Sequence, residues 1–224
     1  MKTTKTVLVF TALMLSVIIT NAQGLKGGDK KKNSSDSKPK CFDENSHIIN
    51  LGVGLGGVNY YSGYSGYGYN YKVSPAFSLS YEQGYPKKLG PGYLGLGAYL
   101  GFQSASSTYN YFYDDNGYKG NYYYKHSWNN YMVAARGAYH FDFLMAEKAE
   151  LYAGLLAGLR IQSYNYETSN PDPKAYNYRF TGSNVYPAYS LFIGGRWYFV
   201  PKVALFAEVG YGISYVTGGV SFKF

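Results

Sequence analysis

The sequence predicts an all-β protein, an eight-stranded antiparallel up-and-down barrel that crosses a membrane. Three observations support this prediction. The 224 residues include 28 Gly, 29 Tyr and 13 Phe but only 15% charged residues, a composition that favours strands over helices. After Ser46, apolar residues alternate with small or polar ones, which is the spacing of a strand with two different faces. The connections between these segments are alternately short and long, as in transmembrane barrels.

The first residues have the layout of a secretory signal peptide. Lys2 and Lys5 provide positive charge, residues 7–19 form an apolar run, and Thr20 and Ala22 are small residues where signal peptidase reads the chain. We expect residues 1–22 to be removed on export. An uncleaved anchor is the alternative, but the run is short for a transmembrane helix. No other segment has the about 18 consecutive apolar residues of a spanning helix.

Residues 23–46 are predicted to form a flexible basic linker on the periplasmic side, because they are polar and poor in apolar residues. Eight of the 21 Lys and Arg residues lie in the leader and this linker, so the sequence does not indicate a folded basic face that binds nucleic acid. Cys41 is the only cysteine, which excludes an intrachain disulfide and a cysteine-based metal site. The linker lysines are Lys26, Lys30, Lys31, Lys32, Lys38 and Lys40.

Eight segments show the alternation of a strand. Between positions 93 and 102, the even residues are Leu, Ala or Phe and the odd residues are Tyr or Gly. The segments have roughly the 9–11 residues that a tilted strand needs to cross a membrane. The eight segments are Ile49–Leu55, Pro75–Tyr81, Gly92–Phe102, Tyr131–Phe143, Leu151–Gln162, Tyr189–Phe199, Val203–Val209 and Val216–Phe224.

The second face of these segments indicates which side meets lipid. A soluble barrel would turn its apolar face inward and would need many charges on the other face. Here the other face carries mostly Gly, Ala, Ser and Tyr. The apolar face is therefore predicted to meet lipid, and the small face to line a narrow interior. Phe141, Phe143, Trp197 and Phe199 are expected to form an aromatic girdle at the lower membrane interface.

The closing hairpin carries a family resemblance. Residues 207–224, AEVGYGISYVTGGVSFKF, resemble the last hairpin of small outer-membrane β-barrels of the OmpX/OmpA-like type. Phe222 and Phe224 match that family's C-terminal assembly signal. The resemblance covers residues 47–224, specifically in the hairpin and by pattern elsewhere. It implies the barrel-insertion machinery as a partner during biogenesis and the Gram-negative outer membrane as the location. An even number of strands places both termini of the mature chain in the periplasm.

Six charged residues on different strands share the inward face. Because an isolated charge in a narrow interior is very costly, they are expected to pair in an ionic network. Glu208 is predicted to be its central acceptor, with Arg196 and Arg160 as donors. A structural plug that locks the barrel is favoured over a gate or ion path. The six residues are Glu82, Arg136, Arg160, Arg196, Glu208 and Lys223.

Tyrosines dominate the predicted external loops. In the loop of residues 105–128, Asp115-Asn116-Gly117 is a tight-turn signal between alternating tyrosines. The segment is expected to continue as a hairpin above the membrane. Exposed tyrosines suit recognition of a partner, whereas stabilisation of the hairpin and seating at the lipid interface are the alternatives. The tyrosines of this predicted surface are Tyr109, Tyr111, Tyr113, Tyr118, Tyr122 and Tyr124.

No residue pattern predicts catalysis, a cofactor or a metal site. Gly52, Gly54 and Gly57 spell G-x-G-x-x-G, but the residues that follow do not form the helix that a dinucleotide site requires. Of the histidines, His47 and His140 are predicted at the periplasmic side and only His126 near the outer rim, so no triad is evident.

The sequence therefore favours a non-catalytic outer-membrane barrel with a structural or surface-interaction role. Its expected partners are outer-membrane lipid and an extracellular ligand or surface. A narrow porin-like channel is the first alternative. An outer-membrane lipid-modifying enzyme and a soluble periplasmic barrel are further alternatives.

Overall fold

The computed structural model describes residues 41–57, 68–115, 117–144, 146–172 and 181–224. The predicted signal peptide and the linker up to residue 40 lie outside the described residues. So do residues 58–67 and 173–180 of two predicted external loops. None of the described residues belongs to a helix long and apolar enough to span a membrane.

Strands account for most of the described chain. Apart from a short 3-10 helix at Asp142–Leu144, the regular elements are extended. The strands are β1 (His47–Leu55), β2 (Tyr69–Val73), β3 (Ala76–Gly84), β4 (Gly92–Asp115), β5 (Tyr118–Phe141), β6 (Ala149–Thr168), β7 (Gly182–Val200), β8 (Val203–Gly210) and β9 (Val216–Lys223).

The strands close into a barrel with eight staves, where a stave is one position in the wall and is formed by one strand or by two strands end to end. Their order is β2-β4-β3-β1-β9-β8-β7-β6-β5, every pair is antiparallel, and β4 also pairs with β5 to complete the ring. The strands β2 and β3 pair with successive lengths of β4, so together they form one stave. Pro75, which cannot donate to a strand ladder, lies at the break between them. The predicted fold class, an eight-stranded antiparallel up-and-down barrel, is confirmed.

The barrel is apolar on its outer surface. Leu155 is 52% exposed and Ile193 is 67% exposed, and both lie on the outward face of their strands. The inward face of the same strands buries Tyr152, Phe192 and Arg196. This arrangement confirms the predicted orientation, in which the larger aliphatic side chains point away from the interior.

The strands differ greatly in length. The strands β4 and β5 have 24 residues each and β6 has 20, whereas β8 and β9 have eight each. The segments predicted as long loops, 105–128 and the ends of 164–186, are therefore largely strand. They remain paired because alternation of Tyr with polar residues continues, and neighbouring rings stabilise cross-strand pairs. Gly117, with a φ of 81°, occupies the predicted tight turn between β4 and β5.

The barrel has two unlike ends. At one end β3–β4, β5–β6 and β7–β8 are joined by the short connections 85–91, 142–148 and 201–202, and both β1 and β9 have their terminal residues there. We call this the turn end. At the opposite end, the loop end, the connections are 56–68, 116–117, 169–181 and 211–215.

Gly97 faces the crowded interior, whereas Gly137 faces the open outer surface. We expect Gly97→Ala to destabilise the barrel by about 1–3 kcal/mol, because its methyl group would overlap the carbonyl oxygen of Tyr81. Gly137→Ala should change the free energy of unfolding by less than about 0.5 kcal/mol. The nearest atom to its methyl group would be Leu96 Cδ2 at 3.8 Å. Urea titration of the refolded protein in lipid vesicles measures both values, and equal effects would contradict the prediction.

Candidate functional site

A cluster of six charged side chains fills the interior near the turn end. The members lie on five strands and face inward. All but Glu208 are buried, and the Glu208 side chain is 12% exposed. We call this set the lumen charge cluster, and its members are Glu82, Arg136, His140, Glu150, Arg196 and Glu208.

Glu82 is the central acceptor of the cluster. Its Oε2 accepts hydrogen bonds from Arg136 Nε at 3.3 Å and from Arg196 Nη2 at 3.0 Å. Its Oε1 accepts a bond from His140 Nε2. Three cationic or hydrogen-bonding donors from β5 and β7 thus converge on one carboxylate of β3. Charge-assisted bonds of this kind offset the cost of removing each ion from water.

His140 lies between two carboxylates. Its Nδ1 faces Glu150 Oε2 at 3.0 Å, while its Nε2 faces Glu82. Both ring nitrogens therefore have a carboxylate oxygen as hydrogen-bond partner. Arg136 and Arg196 lie among the same carboxylates, so acidic and basic side chains alternate within the lumen charge cluster. This mixture satisfies the requirement that buried charge be compensated locally.

Glu208 has a narrower role than the sequence predicted. It accepts bonds from Arg136, including one from Nη1 at 3.3 Å, and from the Tyr152 hydroxyl at 2.9 Å. Arg196 bonds instead to Glu82 and to Glu150, whose Oε1 lies 2.8 Å from Arg196 Nη1. The prediction of Glu208 as the central acceptor was wrong. Glu82 takes that position because it lies between β5 and β7 donors, whereas the Glu208 carboxylate contacts only one guanidinium.

Glycines between the charged residues allow them to meet. In the sheet register, Gly97 of β4 lies directly between Glu82 and Arg136. Gly194 of β7 lies between Tyr152 and Glu208 in the same way. A Cβ on Gly194 would be 2.7 Å from atoms of both neighbours. Each hydrogen-bonded pair therefore bridges a strand that has no side chain at that row.

The structure places the other two predicted members of the network outside the lumen charge cluster. Arg160 faces inward nearer the loop end, where its guanidinium lies 5.2 Å from the ring centre of Tyr186. Lys223 Nζ donates a 3.0 Å hydrogen bond to the Cys41 carbonyl at the turn end. Sequence reasoning missed His140 and Glu150 as members. Both have the inward parity of their strands, which is the signal that identifies them.

Residues 41–46 pack into the turn end. Phe42 is fully buried and stacks on the His140 ring, with 3.7 Å between ring centres and 6° between planes. Ser46 accepts a 2.9 Å hydrogen bond from the Gly84 amide. The Cys41 thiol donates to the carbonyl oxygen of Ala146 at 3.3 Å. The sequence predicts a flexible linker at these residues, but their structure is that of a docked segment.

The Cys41 thiol has an unusual environment. It packs with Tyr198 and Ala204 and is 5% exposed. Burial, together with the negative charge of Glu150, raises the pKa of the Cys41 thiol to about 11. Because the thiolate is the reactive form of cysteine, the docked thiol is expected to react slowly at neutral pH.

The loop end carries a cluster of tyrosine rings on the inward face of β4, β5 and their neighbours. Tyr109 and Tyr124 have ring centres 5.2 Å apart, and Tyr69 Oη is 2.9 Å from Tyr124 Oη. Tyr113 donates a 2.6 Å hydrogen bond to Asp172. We call this set the tyrosine cluster. Its members are Tyr69, Tyr109, Tyr111, Tyr113, Tyr122, Tyr124 and Tyr166.

The predicted surface tyrosines are thus half-buried against one another. Five of the six belong to the tyrosine cluster, while Tyr118 lies at the tip and pairs with Asp115 across the turn. The opposite face of the β4–β5 hairpin is more open. It exposes Phe112 (61%) and Tyr123 (39%) among polar residues. The more accessible aromatic rings of this hairpin are therefore residues that the sequence analysis did not select.

His126 extends the aromatic packing toward the barrel. Its ring stacks on Trp128, with 5.9 Å between ring centres, and its Nδ1 lies 2.6 Å from the Tyr164 hydroxyl. Burial lowers the pKa of His126 below its ordinary value, so the ring is neutral at pH 7. His47 and His140 lie at the turn end, so the three histidines do not form one site.

The glycines of the G-x-G-x-x-G motif have a structural explanation. Gly52 and Gly54 belong to β1 and face inward, where a Cβ on Gly52 would be 2.6 Å from Ser78 Oγ. The neighbouring side chains of β3 and β9 fill the space that a phosphate would need. Within the described ranges, no group of three His, Cys, Asp or Glu residues has the arrangement of a metal site.

No protein-family model and no curated protein matches this sequence. Among solved structures, the chain is similar to small outer-membrane proteins. The attachment invasion locus protein Ail of Yersinia pestis, in complex with the heparin analogue sucrose octasulfate, is 14% identical, with a TM-score of 0.40 over 81% of this chain and 99% of that chain.

Two structures from Pseudomonas aeruginosa are also similar. The N-terminal β-barrel domain of OprF is 15% identical, with a TM-score of 0.41 over 81% of this chain and 98% of that chain. The outer membrane protein OprG is 10% identical, with a TM-score of 0.43 over 81% of this chain and 97% of that chain.

The central position of Glu82 leads to a testable difference between two carboxylates. We expect Glu82→Gln to lower the free energy of unfolding by about 3–5 kcal/mol, because it leaves buried donors without their charged acceptor. Glu208→Gln should lower it by about 1–3 kcal/mol, because one guanidinium and one hydroxyl lose a charged acceptor. Urea unfolding in lipid vesicles gives both values.

Asp114→Asn is the control for this comparison. Asp114 pairs with Lys119 on the exposed hairpin, so its loss should change stability by less than about 1 kcal/mol. A larger effect for Glu208→Gln than for Glu82→Gln would contradict the assignment of Glu82 as the centre.

Proposed function

We propose that this chain is an integral outer-membrane β-barrel, without catalytic activity, that presents the β4–β5 hairpin for interaction at the cell surface. The turn end and both termini face the periplasm, and the loop end faces outward. The observation that carries the proposal is the combination of an apolar outer surface with a charged interior.

The outer apolar surface forms a band of membrane height. On β5, outward residues are apolar or aromatic from Phe141 to Tyr131, a stretch of the 9–11 residues needed to cross at a tilt. Beyond it the outward residues become Asn129, Ser127 and Lys125. Apolar patches of this extent are rare on soluble monomers. A hydrocarbon environment explains the band, whereas a soluble periplasmic barrel leaves it in water.

The C-terminal residues support biogenesis through the barrel-insertion machinery. Phe222 and Phe224 both lie on the outer surface and are exposed. The Phe224 amide continues the pairing of β9 with β1 by donating a 3.0 Å hydrogen bond to the His47 carbonyl. This partner is proposed together with outer-membrane lipid.

The β4–β5 hairpin supports a surface-interaction role. It extends well beyond the apolar band and is stiffened by the tyrosine cluster on one face. Its other face exposes Phe112 and Tyr123 between Asn110, Asn121 and Lys125. Rigid aromatic side chains among small polar ones make contact area at low entropic cost. The open face, rather than the self-packed tyrosine cluster, is the surface that we assign to an extracellular ligand or surface partner.

The interior argues against a porin-like channel. The lumen charge cluster occupies the barrel cross-section near the turn end, and residues 41–46 pack beneath it. Eight-stranded barrels have interiors that their own side chains fill. The proposal therefore favours a structural or binding role over conduction.

Membrane insertion is tested by fractionation and gel mobility. We expect the expressed chain to sediment with the outer membrane, to resist extraction by alkaline carbonate, and to need detergent for release. Unboiled samples should migrate differently from boiled ones, because the closed barrel stays folded. Recovery in the soluble periplasmic fraction would contradict the proposal.

The surface role is tested by adhesion of cells that display the protein. Phe112→Ser combined with Tyr123→Ser should reduce adhesion to immobilised mucin, collagen or fibrinogen by about tenfold, because aromatic anchors dominate such contacts. Phe143→Ser is the control, since Phe143 is 69% exposed, against 61% for Phe112, but lies at the turn end. Adhesion no better than that of cells lacking the protein, or equal loss in the control, would refute the surface role.

A further inference from the structure

Residues 41–46, which we call the turn-end strap, close the turn end of the barrel. Phe42 packs with Ile48 of β1 and Tyr93 of β4, and its ring covers His140 of β5. Cys41 packs with Tyr198 of β7 and Ala204 of β8. Its carbonyl accepts from Lys223 of β9, and Ser46 bonds to Gly84 of β3. The strap therefore contacts strands around nearly the whole circumference and lies across the opening.

The strap is anchored by few groups. Among its six residues only Cys41 and Phe42 are apolar, and Glu44 and Asn45 are exposed. Asp43 organises the turn locally, because its Oδ1 accepts hydrogen bonds from the Asn45 amide at 3.0 Å and the Ser46 hydroxyl at 2.8 Å. The strap thus has its own turn and enters the barrel mainly through one aromatic side chain.

The group beneath Phe42 is held in a fixed orientation. His140 hydrogen-bonds to Glu150 on one side and to Glu82 on the other, so its ring plane is set by two carboxylates. The planes of Phe42 and His140 are nearly parallel at 6°. Stacked aromatic rings gain free energy beyond the burial of their area. The lumen charge cluster therefore builds the surface on which Phe42 is seated.

Two polar atoms near the strap oppose permanent closure. Arg196 Nε and Tyr198 Oη are buried and have no hydrogen-bond partner in the described part of the chain. A buried polar atom without a partner is unfavourable, and contact with water removes that penalty. Release of the strap would give water access to this region. At this end of the barrel, the packing of Phe42 thus favours docking of the strap, whereas the two unpaired polar atoms favour its release.

We propose that the turn-end strap is a releasable seal, latched by Phe42 on His140, that keeps water from the lumen charge cluster. The seal is a property of the barrel and does not depend on the role assigned to the external hairpin.

The native Cys41 thiol reports the docked state, since it is the only cysteine of the chain. The mature chain is refolded in lipid vesicles, and its alkylation by N-ethylmaleimide is followed at pH 8. We expect Phe42→Ala to accelerate alkylation at least about tenfold, equivalent to about 1.4 kcal/mol of docking free energy. Phe77→Ala, which removes an exposed phenyl ring from the outer surface of β3, should leave the rate unchanged. Gel mobility verifies that each variant is folded.

A second measurement distinguishes a seal from a local change at Cys41. In protein labelled with ¹⁵N-histidine, the ring N–H groups of His140 should exchange slowly with water. In the Phe42→Ala variant they should exchange at least about tenfold faster. The loss of these signals in His140→Gln assigns them. The same His140→Gln variant, where it folds, should also accelerate alkylation of Cys41.

Each outcome decides the proposal. Wild-type alkylation as fast as that of the urea-unfolded chain, or no acceleration in Phe42→Ala, overturns the docked strap. Faster alkylation with His140 N–H groups that still exchange slowly overturns the seal. Unchanged Cys41 protection in a folded His140→Gln variant overturns the latch. Failure of the surface-interaction proposal leaves all of these measurements unaffected.

Discussion

Compensation of charge inside a narrow apolar barrel is the constraint on which the rest of the structure depends. Water does not screen ions in such an interior, so each charge needs a partner within bonding distance. Glu82 meets this need by bonding to three side chains, and His140 lies in hydrogen-bond contact with two carboxylates. The glycines at Gly97 and Gly194 follow from the same constraint, because the bridging pairs need bare backbone between them.

The apolar outer surface follows from the placement of the charged side chains inside the barrel. Once the charged and polar side chains are gathered inside, the alternation of each strand turns the aliphatic ones outward. This pattern was predictable from residues such as Leu155 and Ile193, since strand parity depends only on local sequence. The eight staves and their antiparallel order were predictable for the same reason. The division of one stave into β2 and β3 was not, although Pro75 marks the place.

The pairing inside the barrel was harder to predict. Parity shows that Glu208 and Arg196 face inward, but not which of them meet, because the strands' relative register and tilt decide the contacts. Glu150 was missed since it stands at the first residues of β6, where the alternation is still short. The docking of Phe42 could not be predicted either. A lone aromatic residue in a polar stretch gives no periodic signal, and its partner lies 98 positions away in sequence at His140.

The unequal strand lengths have a consequence for the upper part of β7. Its pairing with β8 begins at Phe192, so within the described residues the stretch from Gly182 to Tyr189 has a neighbour on one side only, β6. The Leu191 carbonyl points to the β8 side, where it accepts from the Tyr211 amide, and alternate residues share that direction. Pro187 therefore falls where an amide would face the open flank. The open edge of β7 therefore lacks one amide donor and is a poor template for pairing with another strand. This protects the upper part of β7 from edge-to-edge aggregation.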